Sequence, residues 1–329
     1  MKWIVKLLFA AAALWSGYWF IGAQAQEKIY AGLLESSRQQ GWTAESQNLG
    51  VVGFPNRFDT TLTGLNFADP SGRWRWRGEE FQIKALSYQP NHVIMAWPGT
   101  QEIGTPAGSA TVNAGLLRAS VVVSPASNLP LSRVQIEGTG IDIKSNRGWA
   151  AAISSLNSAL FQDDTVPTRY RLGVDAADIA PPDLLTSVIG GGASMPALIE
   201  KVYLSAELDF DREIDRLAFA SGAPPKPTTA VIEQAEIIWG SSTLGLSGEL
   251  RAGSNGYVEG YLEFDVEGWQ PLFDIYNSAA RMSATEKLTL KRALDAASGG
   301  GNLAFTLRFS GGEASIGPFT IGPAPVYPF

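Results

Sequence analysis

Residues 7–23 carry no charged side chain and read LLFAAAALWSGYWFIGA. With Trp3, Ile4 and Val5 ahead of it, this apolar stretch approaches the roughly 20 residues a helix needs to cross a bilayer. Lys2 and Lys6 precede it, and a basic flank stays on the cytoplasmic side. Lys6 can snorkel to the headgroups, while Trp15, Tyr18 and Trp19 suit the interfacial half of a span. The expected topology is a single pass of a bacterial inner membrane, with contact through residues 3–23, the N-terminus cytoplasmic and the bulk periplasmic. The competing reading is a signal peptide cleaved near Ala25, since Ala23-Gln24-Ala25 has the A-x-A pattern. Bulky Tyr18, Trp19, Phe20 and Ile21 crowd that site. Residues 27–40 continue a helical stripe through Ile29, Tyr30, Leu33 and Leu34. The uncleaved anchor is therefore adopted; either reading exports the rest.

Beyond Gly41 the hydrophobic period changes from helical to twofold. Phe58, Thr60 and Leu62 alternate with Arg57, Asp59 and Thr61, and Phe81, Ile83 and Ala85 alternate with Gln82 and Lys84. Such alternation marks strands with one buried and one wet face. The pattern returns at Val202, Leu204, Ala206, Leu208 and Phe210, at Val258, Leu262, Phe264 and Val266, and at Leu303, Phe305, Leu307 and Phe309. Helical spacing is expected over residues 149–161, through Trp149, Ile153, Leu156 and Leu160. It is expected again after Pro181-Pro182, through Leu184, Leu185 and Val188 to a stop at Gly190-Gly191-Gly192, and over residues 269–281 and 284–297. Runs of strands with few inserted helices, and no βαβ alternation, predict an α+β fold of mostly antiparallel sheet behind an N-terminal transmembrane helix. The predicted division is an anchor at 1–26, a juxtamembrane helix at 27–41 and an extracytoplasmic β-rich domain at 42–329. That domain is either one piece or two halves meeting near 145–165. The Pro-rich tail is expected to form an edge or an irregular cap, because proline cannot donate to a ladder.

Composition removes several function classes. Hydrophobic residues make up 45 % and charged residues 17 %, enough apolar material for a packed core. The formal net charge of −7 lacks the basic footprint that nucleic acid requires, so no nucleic-acid partner is expected. There is no cysteine and a single histidine, His92. Thiol nucleophiles, Cys-ligated zinc and His-rich metal sites fall away. No catalytic, metal or cofactor-binding residue is assigned, and no cofactor is expected.

The distinctive segments each have a bland reading beside a functional one. Gly53-Phe54-Pro55-Asn56-Arg57-Phe58-Asp59 suggests a rigid bend entering a strand, with Arg57 and Asp59 paired on one strand face. Its functional reading makes Arg57 a ligand for a headgroup or carboxylate. His92, just before Val93-Ile94-Met95-Ala96-Trp97-Pro98, reads as a turn histidine bonded to backbone before it reads as a general base. Arg73-Trp74-Arg75-Trp76-Arg77 puts two indoles opposite three guanidinium groups on a strand, as core tryptophans or as a membrane-binding edge. The carboxylate row Glu259, Glu263, Asp265 and Glu267 lacks calcium-loop spacing. The glycine runs at Gly190 and Gly299 follow helices, whereas a phosphate loop puts glycines before one.

Three of these stretches carry a resemblance: Gly53-Phe54-Pro55-Asn56-Arg57-Phe58-Asp59, Leu86-Ser87-Tyr88-Gln89-Pro90-Asn91-His92-Val93, and Ala96-Trp97-Pro98. Together with Trp239-Gly240, Leu246-Ser247-Gly248, Gly256, Glu259-Gly260 and Gly317-Pro318-Phe319, they resemble the bacterial envelope family catalogued as domain of unknown function 2125. The resemblance brings no catalytic residues. It implies a set of family-motif residues: Phe54, Pro55, Asn56, Arg57, Asp59, Tyr88, Pro90, Asn91, His92, Trp97 and Pro98. A looser, architectural likeness is to AsmA-like proteins, whose anchored curved sheets have an apolar concave face implicated in lipid movement. Three functions are carried forward: non-enzymatic lipid binding or handling along an apolar sheet face, a scaffold binding another envelope protein, and, least supported, a hydrolase using carboxylates.

Overall fold

A computed structural model describes residues 2–182, 196–218, 224–279 and 283–327. The helix expected after Pro181-Pro182 lies outside the described residues. The chain opens with α1 (Lys2–Gln39), one uninterrupted helix in which the predicted anchor and juxtamembrane segments are continuous. Gly41, at φ 86°, ends it, as glycine does where a left-handed residue closes a helix. At about 1.5 Å per residue α1 is about 57 Å long. Among the described residues it is the one helix long and apolar enough to cross a membrane.

Two compact units follow from the packing. The first comprises Met1–Pro125 and Ile136–Gly148. Its strands are β1 (Thr43–Glu45), β2 (Asn48–Val52), β3 (Arg57–Ala68), β4 (Arg75–Leu86), β5 (Gln89–Ala96), β6 (Gln101–Thr105) and β7 (Gly108–Val123). Both β1 and β2 pair with β3, at its two ends, and β3 pairs with β4. Both β5 and β6 lie between β4 and β7, so they act as one strand broken at Trp97-Pro98-Gly99-Thr100. All these pairings are antiparallel. The predicted alternation on β3 holds: Phe58, Thr60 and Leu62 are buried, and Arg57 is exposed. Next comes β8 (Leu131–Ser145), and within this unit its Glu137 pairs with Arg118 of β7.

The second unit comprises Ala126–Gln135 and Trp149–Phe329. It contains β9 (Ala150–Gln162), β10 (Arg169–Ala180), β11 (Ile199–Phe210), β12 (Pro227–Trp239), β13 (Ser242–Ala252), β14 (Val258–Glu267), β15 (Leu303–Ser310), β16 (Glu313–Ile316) and β17 (Phe319–Pro323). Each of these pairs antiparallel with the next, giving an unbroken meander. Residues 149–161 are thus not a helix. They form β9, with Leu156, Ser158 and Leu160 opposite Ala176, Val174 and Leu172 of β10. Leu156 and Leu160 are four apart, a spacing that fits a helix turn and every second strand position alike, and ten ladder partners on β10 settle the ambiguity.

Two helices, α2 (Trp269–Ala279) and α3 (Ala284–Ser298), sit between β14 and β15, close to the predicted 269–281 and 284–297. They cover one end of the sheet. Trp269 and Phe273 of α2 pack with Val266 and Leu303, with Leu290 and Leu294 of α3 around them. The tail beyond β17 turns back over the sheet: the Val258 N–H donates to the Pro325 carbonyl and the Tyr327 N–H to Gly256. Ala324 joins Val258, Phe309 and Ala314 in a small core. The expected irregular cap is therefore present, and it follows an edge strand.

Candidate functional site

The motif around Phe54 is built where α1 meets the start of β3. The Trp15 indole N–H donates to the Pro55 carbonyl at 2.8 Å, the Trp19 indole N–H to the Arg57 carbonyl at 2.7 Å, and the Tyr18 hydroxyl to the Ser87 carbonyl at 2.6 Å. Three helix side chains thus satisfy backbone acceptors at one end of the sheet, where strands leave such groups open. Trp19, 5 % exposed, and Ala23 pack on Phe58, with Val51 beside them. Gly22 permits this approach, since a Cβ there would lie 2.5 Å from the Phe58 ring. Phe54 stacks on Phe20 and meets Trp19 edge-on. The Phe54–Pro55 peptide is cis, and residues 54–56 form the turn that enters β3. The Ser87 N–H donates to the Asn56 carbonyl, tying the β4–β5 hairpin to the same corner.

This corner leaves apolar surface in solvent. Phe54 is 51 % exposed, Val52 63 % and Tyr88 58 %, beside exposed Phe20 and Ile21 of α1. Arg57 and Asp59 form the expected ion pair at 2.9 Å, half open to water, and both guanidinium and carboxylate are thereby engaged. The sequence alone showed the motif but not its partner. Trp15, Tyr18 and Trp19 were assigned to the bilayer interface, whereas they also bind the sheet; Gly22, with Trp19 and Ala23 around it, was the readable trace of a packed helix face.

The remaining motif residues do not converge on this corner. The Asn91 side-chain amide donates to the Val123 carbonyl at 3.1 Å. His92 Nε2 lies 2.9 Å from the Ser120 hydroxyl across the β5–β7 ladder, not against backbone as the sequence suggested. Pro90 lies in β5. Trp97 packs on Phe81, and the Pro98 carbonyl accepts from the buried Gln101 amide at 3.0 Å at the break between β5 and β6. Of the two alternating tryptophans, Trp76 lies in β4 and donates to Gln101 at 2.9 Å. Trp74 precedes the strand and is more than a third exposed, so Arg73-Trp74 belongs to the turn. Among the described residues no group of three or more His, Asp or Glu side chains is placed to hold a metal.

The second unit presents a different surface. Directly paired residues share a face, so the ladders align one row across six strands: Leu160, Leu172, Ala206, Ile232, Gly248 and Leu262. The next rows add Leu156, Ala176, Val202, Ile237 and Leu244, and Val174, Leu204, Ala235, Leu246, Phe264 and Phe305. A bulge at Glu233-Gln234 shifts the register of β12 and keeps Ile232 and Ala235 on this face. The opposite face carries ion pairs: Arg169 with Glu207 and Asp209, Lys201 with Glu236, and Arg251 with Glu249. A groove of about 600 Å³ is lined by Glu233, Glu236, Glu263 and Asp265 and also by Leu246, Phe264 and Phe305. At the β9–β10 turn the Thr165 hydroxyl, then the Thr165 and Val166 amides, hold the Asp163 carboxyl down to about 2.

A fully covered core face would be buried throughout; on this one Ala176, Ala206 and Gly248 are buried, but the larger side chains are only partly covered. Leu156, Leu172, Val174, Leu204, Leu208, Ile232, Leu246 and Leu262 all keep partial exposure. α2 and α3 pack over Leu244, Val266, Leu303 and Phe305. No curated protein and no solved structure matches this chain. A family model does match residues 19–325, from the docking tryptophan of α1 to the tail, and the chain belongs to the family described as uncharacterized protein conserved in bacteria (DUF2125).

Proposed function

We propose that the protein is a single-pass inner-membrane protein that holds or passes lipid along the apolar face of β9–β15 on the periplasmic side. The observation that carries this reading is the partly exposed row of Leu, Val and Ile side chains opposite an ion-paired polar face. Apolar patches beyond a few hundred Å² are uncommon on soluble monomers unless something covers them. Acyl chains would gain about 2.5 kcal/mol per 100 Å² of such surface covered. The uncharged α1 segment and its basic flank support the orientation. The lipid reading does not rest on the expected AsmA-like architecture, since architecture does not by itself transfer function.

The test is photo-crosslinking in the native cell. A benzophenone amino acid replaces Leu204 or Leu246 on the apolar face, and Ser205 or Glu249 on the polar face. Phospholipid-mass adducts on the first pair alone are expected. Adducts on neither pair, or equally on both, overturn the reading. A scaffold reading is favoured by β17, which pairs on one side with β16 and exposes Phe319 and Ile321, as a strand open to augmentation does. The same crosslinker at Ile321 should then yield one reproducible protein adduct; unmodified chain alone would remove this reading.

A further inference from the structure

Lipid handling requires a path from the bilayer to the protein, and the length of α1 restricts where the first unit meets the membrane. The helix has two parts. Residues 2–14 project beyond the sheet, and from Trp15 onward α1 lies along β3, contacting Pro55, Arg57 and Phe58 first. Farther on, the Gln26 side chain meets Thr60, and Gly41 reaches Pro70 beyond the far end of the strand. The free part is about 20 Å long at about 1.5 Å per residue. The hydrocarbon core of a bilayer is about 30 Å thick. A docked α1 that crosses the membrane therefore draws about 10 Å of the helix–sheet junction into the leaflet on the domain's side.

The residues at that depth fit the demand. They are Val52, Phe54 and Tyr88 on the loops and Phe20 and Ile21 on the helix, all exposed, with Trp15 and Tyr18 beside them. The Pro55, Ser87 and Arg57 carbonyls there already accept from the Trp15, Tyr18 and Trp19 donors; left open in hydrocarbon they would be costly. The nearest guanidinium, Arg57, is neutralised by Asp59 and is long enough to snorkel outward.

We infer that the corner formed by Val52, Phe54 and Tyr88 is seated in the leaflet facing the domain, so that the sheet begins inside the membrane rather than above it. This rests on α1 spanning the bilayer, as in the proposed function. The lack of cysteine makes the test direct. The full-length chain carrying Val52→Cys, Tyr88→Cys, Leu8→Cys or Ser71→Cys is spin-labelled and reconstituted in phospholipid vesicles. Collisions with oxygen, which favours lipid, are compared with those of a water-soluble nickel chelate. The expected result is an oxygen-to-nickel ratio at Val52 and Tyr88 several-fold above that at Ser71, which sits on the β3–β4 turn at the far end of β3. Water-like ratios at Val52 and Tyr88 with a lipid-like ratio at Leu8 overturn the seating while the span stands. A water-like ratio at Leu8 removes the span itself. Labels at Val52 and Tyr88 shielded from both reagents mean that a second protein copy covers the corner, and also overturn it. The crosslinks at Leu204 and Leu246 are read independently of all three.

Discussion

At the scale of single residues, Gly22 and Trp19 control how the helix meets the sheet. Any side chain at Gly22 meets the Phe58 ring, which is buried and has little room to withdraw. Gly22→Ala should destabilise the docked arrangement by about 1–3 kcal/mol, the usual range for overpacking. Phe58→Leu in the same chain should recover part of that loss, a coupling expected of residues in contact. Thermal unfolding of both variants checks it; a Gly22→Ala chain indistinguishable from the parent would show that the helix is not held there. Trp269 gives a second case. It is 2 % exposed among Phe273, Val266 and Leu303, yet its indole N–H meets no acceptor among the described residues. Trp269→Ala should cost about 3–5 kcal/mol, and Trp269→Phe much less, because it keeps the ring and drops the unpaired donor. At Asp163 the sign follows from the lowered value. A carboxylate held to about 2 adds to folded stability above its ordinary pKa and loses that contribution as pH falls through about 2. The β9–β10 turn should therefore stay closed at pH 3, checked by amide exchange of Thr165 and Val166.

At the scale of elements, legibility followed periodicity. The strands around Phe58, Val202 and Leu303 were readable because a twofold pattern with polar partners leaves few alternatives. The helices at 269 and 284 were readable from their longer repeats, and Gly41 from its role as a helix stop. β9 was not, because Leu156 and Leu160 satisfy both periods and its Ala-rich stretch favours helix by intrinsic propensity; the ladder to β10 prevailed. The motif at Phe54 was visible as unusual chemistry. Its use was not, since pairing between residue 15 and residue 55, or between 18 and 87, leaves no local signal. Nor does an alternating strand disclose whether its apolar side meets a covering helix. The partial exposure across β9–β13 emerged only when α2 and α3 were seen to lie at one end.

At the scale of the whole molecule, each unit gives a different service to the proposed role: the first joins a membrane helix to a sheet corner, and the second offers an apolar face several strands wide. The meander in the second unit has a further consequence, for how the chain reaches its native state. From β10 to β17 every strand pairs with the one made just before it. Every strand has its partner next to it in chain order, and only β15 follows an insertion of two helices, so the loop-closure cost that slows most β proteins stays small at most steps. Chain emerging from one direction can zip strand onto strand in order of synthesis, leaving only the newest edge unpaired at any moment.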